Sequence, residues 1–216
     1  MSLIFNNIDK MSFDDLGDES EFIPLMTSED EEALEKENLP EVLPILPLTN
    51  TVLFPGVVIP INAGRDKSIK LINDANKSNK LIGVVSQKDI KIENPSIEDI
   101  YSVGTVAKIL RVLKMPDGNT TVIIQGKKRF KIKSVVKTDP YIQATISSLP
   151  DKNQRKSNNK FTATIDAIRD IALKIIKENP NIPSEASFAI KNIHSSAFLI
   201  NFVCSNMNIS VKAVSY

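Results

Sequence analysis

The chain has 216 residues, 42% of them apolar, which suffices for an ordinary core in one or two domains. Its net charge of +1 conceals a split: residues 1–41 carry 13 Asp and Glu against 2 Lys, a net of −11, while residues 42–216 carry 13 against 25 Lys and Arg, a net of +12. A single cysteine excludes an internal disulfide and no apolar run is long enough to cross a bilayer, so the cytoplasm is the expected compartment and no membrane is an expected partner.

The acidic start lacks the basic and apolar regions of a secretory signal and is too acidic for a transit peptide. Residues 1–39 read as a solvated tail, since low hydrophobicity with high charge does not fold. Ser28-Glu29-Asp30-Glu31 matches a capping box, but no apolar face supports a helix behind it. Residues 40–150 read as a β domain. Leu43 to Ser68 predicts two short apolar strands punctuated by Pro44, Pro47 and Pro60, each of which must fall at an edge or a break because proline donates nothing to a ladder. Phe54-Pro55-Gly56 between them predicts a tight corner, with Gly56 free to take a positive φ.

Asp66 to Asn76 carries Ile69, Ile72 and Ala75 at helical spacing and predicts a short crossing helix. Leu81–Ser86 and Val103–Val112 predict strands, the second meeting Val122–Gln125 through the Pro116-Asp117-Gly118 turn. Gly126 inside a strand predicts a bulge or bend, and bends let a small sheet curl. Arg129–Val136 and Tyr141–Leu149 complete a meander, which suggests a small, partly open barrel.

Residues 151–212 read as a helical subdomain. Asp151–Asn159 is wholly polar and predicts a loop. Phe161, Ile165, Ile168, Ala172 and Ile175 then form one stripe, widened by Ile171 and Ile176, until Pro180 stops the helix. Pro183 opens a second, striped by Ala186, Ile190, Ile193, Ala197 and Ile200. Phe198, Leu199, Phe202 and Val203 make its end apolar on other faces, so contact with the barrel or another subunit is expected. Ser210 reads as a new N-cap with six residues after it, as a fragment of a longer protein would show.

These segments resemble the N-terminal domain of the ATP-dependent Lon protease family. The resemblance rests on Leu43–Ser68 with its Phe-Pro-Gly corner, Asp99–Ile109, Met115–Asn119, Val122–Phe130, Pro140-Tyr141 and Phe198–Asn206. Thr49 stands where an arginine is common, and Ala63 where a larger apolar residue is usual. The resemblance implies an α+β fold, a small PUA-like β pseudobarrel followed by antiparallel helices. It implies a substrate-recognition and assembly domain for misfolded and regulatory proteins. ATP, magnesium and a serine-lysine dyad would serve the parent protein, which works as a hexameric ring.

No chemistry of that kind is encoded here. Gly126-Lys127 lacks the upstream glycine and following Ser or Thr of a phosphate cradle, and no G-x-S-x-G occurs. No catalytic, cofactor-binding or metal-ligating residues are expected: His194 is the lone histidine, and Cys204 reads as a small buried hydrophobe. Met115 and Pro116 at the hairpin tip, with Phe198 and Phe202, are the candidates for client contact, because weak binding of unfolded chains needs exposed apolar groups. Strand alternation places Lys127, Arg129, Lys131 and Lys133 on one face, with Lys128, Phe130 and Ile132 opposite. That row is the basis of an alternative, a stand-alone module with weak DNA or other nucleic-acid binding, against which an acidic tail would compete. A freestanding adaptor is the third possibility.

Overall fold

The computed structural model describes residues 39–114, 120–149, 159–180, 182, 185–207 and 210–214. The hairpin tip with Met115 and Pro116, the polar stretch to residue 158, Pro183 and all but Leu39 of the expected tail lie outside them. Six strands are described: β1 Val42–Leu48, β2 Val58–Ala63, β3 Leu81–Ser86, β4 Val103–Lys114, β5 Thr120–Lys137 and β6 Gln143–Ser148. The helices are α1 Asp66–Lys77, α2 Asn159–Glu178, α3 Glu185–Asn192, α4 Ser196–Asn206 and the single turn α5 Val211–Val214. The α+β class is as expected.

The sheet runs β2-β5-β4-β3-β1-β6, and β5 also pairs with β6, which closes five strands into a cycle. The length of β5 makes this possible. One edge of β5 takes β2 along Thr120–Gln125 and then β6 along Phe130–Lys137, while the other edge pairs with β4 along Thr120–Lys131. Gly126 lies inside β5 with an irregularity beside it, as expected of a glycine in a strand, and the runs on its two sides form one strand. Just beyond it, Lys127 and Lys128 stand opposite the single residue Val106, and Lys133 and Val136 are extra residues against β6. Each bulge adds twist, which is how an 18-residue strand curls far enough to close.

β1 is not an edge strand, because it pairs with β6 over Val42–Pro44 and with β3 over Ile45–Leu48. Its prolines fit through alternation. Leu48 O accepts from Gln87 N on the β3 side at 2.8 Å, so Pro47 turns away from β3, past the end of the β6 ladder. Val57 O accepts from Gly126 N at 2.9 Å, so Pro60 likewise turns away from β5. Among the described residues, β2 pairs with this one strand only.

Two cores lie on the two faces of the sheet. The inner cluster draws on all five strands of the cycle, through Leu43, Ile45, Val85, Val106, Phe130 and Ala144 among others. The outer cluster joins β2, the Phe54 corner and α1, through Leu71, Ile72 and Ala75, to the helical subdomain. β3 is buried along its whole length because it contributes to both. At about 25 cal/mol per Å² of apolar area removed from water, such two-sided burial is the main stabilising term for a strand this short.

Candidate functional site

The Phe-Pro-Gly corner is the joint of the molecule. Gly56 has φ 80°, the positive value its position requires. Its N–H donates to Gly126 O at 2.9 Å, and Gly126 N donates back to Val57 O. Thr105 Oγ1 donates to Leu53 O at 2.7 Å and Ser86 Oγ to Thr51 O at 2.6 Å, so the loop before the corner is tied to the sheet by side chains. Asn201 of α4 completes the joint: its Nδ2 donates to Pro55 O at 3.2 Å and its Oδ1 accepts from Arg129 Nη2 at 3.1 Å. Asn201 is buried, so both bonds lie in a region of low dielectric. Replacing it with alanine strands the Pro55 carbonyl and removes a charge-assisted bond. Asn201→Ala is expected to cost about 2–3 kcal/mol in urea unfolding, with little change in native circular dichroism.

The helices pack onto the barrel through this joint, and two residues expected to meet clients are buried by it. Phe198 and Phe202 are 1% and 4% exposed, with ring centroids 6.1 Å apart. They belong to the outer core, which removes the exposure on which their candidacy stood. The reason is that the second helix is two. α3 ends at Asn192, His194 is exposed in the connector, and Ser195 starts α4 by accepting from Phe198 N at 3.0 Å. The break turns α4 so that its apolar faces meet the barrel and α2, as its unusual greasiness suggested.

The exposed apolar surface lies elsewhere. On α2, Phe161, Ile165, Ala172, Leu173 and Ile176 pack toward the outer core, whereas Ile171 and Ile175 are 59% and 53% exposed. These two stand one turn apart on one flank of the helix. Phe188 of the adjoining α3 is 59% exposed. The sequence stripe placed Ile175 inward with its neighbours; the structure gives that place to Ile176. A surplus of apolar positions on α2 was the readable signal, since two stripes cannot both face one core.

The basic row is not uniform. Arg129 turns to Asn201, the bulge takes Lys127 and Lys128 out of alternation, and Lys131 and Lys133 are exposed. Phe130 is wholly buried in the inner cluster. Cys204 is half-buried: burial pushes its thiol above the ordinary value, and the Arg129 charge offsets only part of that, so it remains protonated at neutral pH. No helix among the described residues is long and apolar enough to cross a membrane.

Comparison with known proteins sets this geometry in context. The family described as ATP-dependent protease La (LON) substrate-binding domain matches residues 42–213. A Lon protease of Flavobacterium johnsoniae is 62% identical over 95% of this chain, and one of Cytophaga hutchinsonii is 50% identical over 89%. The chain spans about a quarter of the length of these relatives, 25% and 24%. Among solved structures, the N-terminal domain of a Mycobacterium avium complex Lon protease superimposes with a TM-score of 0.63 at 19% identity. That match covers 80% of this chain and 86% of the other, and shows a shared fold.

Proposed function

The chain belongs to the family of Lon substrate-binding domains, and from that premise we propose that it receives client polypeptide for a longer Lon-type protease. It binds exposed apolar segments of misfolded and regulatory proteins weakly, holds them near the ATPase, and helps subunits associate into a ring. ATP and magnesium act on another part of the parent, as does the serine-lysine pair that cuts peptide bonds, and the whole works in the cytoplasm.

The observation that carries this reading is the pair Ile171 and Ile175. Large apolar side chains left more than half exposed on a well-formed helix are what a weak, sequence-tolerant contact with unfolded chains requires. The closed sheet behind them is a rigid support. The double substitution Ile171→Glu/Ile175→Glu is expected to weaken binding of an unfolded client at least tenfold. It removes no buried group, so unfolding free energy should stay within about 0.5 kcal/mol. Unchanged affinity in a folded variant would remove this surface from the reading.

A further inference from the structure

A cleft of about 230 Å³ opens between the C-terminal part of β1, β2 and the first turn of α1. One wall is apolar, formed by Leu46, Leu48 and Ile61 with Pro47 and Pro60. Those prolines face the gap from its two sides and offer carbonyls without N–H groups. The edges are therefore poor templates for an added strand.

Hydrogen-bond donors collect at the other end. α1 is a 12-residue helix whose N-cap position is held by Arg65, with no side-chain cap. Among the described residues, the N–H groups of Asp66, Lys67 and Ser68 in its first turn have no protein acceptor. Ser68 lines the cleft at 8% exposure, and its hydroxyl has no hydrogen-bond partner among the described residues. Among the described residues no side-chain polar atom is both buried and unpaired, so the Ser68 hydroxyl reaches the cleft space from an otherwise buried residue and can bond a ligand atom there.

Arg65 supplies the charge. Its Nη2 donates to Thr49 Oγ1 at 3.3 Å and to Gln87 Oε1 at 3.0 Å, both neutral, and no carboxylate pairs with it among the described residues. Gln87 is fixed in turn, since it is 2% exposed and its Nε2 donates to Asp89 O and Ile92 O. The guanidinium is thus preorganised beside a helix N-terminus, which favours an anion on both counts. Asp66, exposed in the same turn, is the one opposing charge of that turn.

We infer that this cleft captures the C-terminal carboxylate of a client polypeptide whose last residue is apolar. The carboxylate sits at Arg65, Ser68 and the free N–H groups of α1, and the terminal side chain lies on the Leu46, Leu48 and Ile61 wall. The apolar wall is what selects a peptide end over a free inorganic anion. The inference rests on the client-binding reading and adds to it a second, end-specific contact.

The test is titration of the full 216-residue chain with a labelled hexapeptide ending in leucine, as free acid and as C-terminal amide. The free acid should bind at least tenfold more tightly. Arg65→Gln and Ser68→Ala should each reduce that preference, and Asp66→Asn should raise it. Ser68→Ala guards against a folding defect in Arg65→Gln, because it removes no partner from any protein group. If acid and amide bind equally while Ile171→Glu/Ile175→Glu weakens both, the cleft inference fails and the client reading stands. Competition by sulfate with no preference for the free acid makes the cleft a small-anion site and also overturns it. If neither peptide nor unfolded protein binds, both fail.

Discussion

Gly126→Ala is expected to destabilise the chain by about 3–5 kcal/mol. A Cβ at this position would lie 2.2 Å from Phe54 O and 2.9 Å from Phe54 C. Both are backbone atoms, so no side-chain rotation relieves the clash, and the corner must move away from β5. That movement breaks the Gly56–Gly126 and Gly126–Val57 hydrogen bonds, each worth about 0.5–1.5 kcal/mol net. It also displaces Pro55 from Asn201, so the helical subdomain loosens together with the corner. Overpacking against backbone adds roughly 1–3 kcal/mol more. Gly64→Ala is the matched control: its Cβ would meet nothing within 4 Å, and its cost should stay near zero. Urea unfolding followed by circular dichroism separates the two, and equal midpoints for them would refute the stitched corner.

Phe130→Ala is expected to cost about 3–5 kcal/mol, the range for deleting a fully buried aromatic ring. Total stability for a domain of this size is about 5–15 kcal/mol, so the variant is close to the folding limit at 37 °C. The ring occupies space that two glycines leave open. A Cβ on Gly83 would lie 2.9 Å from Phe130 Cζ and 2.7 Å from Ile45 Cδ1, and one on Gly104 would lie 3.0 Å from the same ring atom. The two sites differ in what else they meet. Gly83 meets only the ends of side chains, whereas Gly104 meets Val84 O at 2.3 Å. Gly83→Ala should therefore cost less in the Phe130→Ala background than in the wild type, a coupling of about 1 kcal/mol in a double-mutant cycle. Gly104→Ala should stay damaging in both, because its obstacle is backbone. Additive behaviour of Gly83 and Phe130 would mean that the ring does not fill the inner cavity as described.

Much of the fold was readable where a residue's covalent chemistry leaves few options. The Phe54-Pro55-Gly56 corner, the positive φ of Gly56, the crossing helix from Asp66 and the strand Leu81–Ser86 all follow from local rules. The resemblance to the Lon N-terminal domain rests in part on the same Phe-Pro-Gly corner. What local rules cannot give is partnership between distant segments. Pro47 looked like an edge marker, yet β1 has neighbours on both sides, because its two ladders are staggered along its length. The bulges at Lys133 and Val136 carry no glycine and no sequence signal, and they exist because β5 must reach β6.

The candidate surfaces were less legible for a related reason. Periodicity shows that a helix has an apolar stripe; it does not show which flank of a wide stripe meets the core. Ile175 and Ile176 are adjacent and chemically identical, and only the position of α2 over the outer cluster puts one in and the other out. Phe198 and Phe202 were grouped with exposed residues, and their burial depends on a helix break at Ser195 that turns α4 onto the barrel. A serine followed by a helix-forming run was the available cue. The cleft was invisible from the sequence, because Thr49, Arg65, Ser68 and Gln87 meet only once β1, α1 and the end of β3 are assembled.

On the proposed function, a closed β scaffold presents an apolar helix flank to polypeptides that have lost their fold. The most direct measurement titrates this chain with one model protein in two forms, native and reduced-carboxymethylated. The unfolded form should bind at least tenfold more tightly, while equal affinity for both forms would contradict the claim.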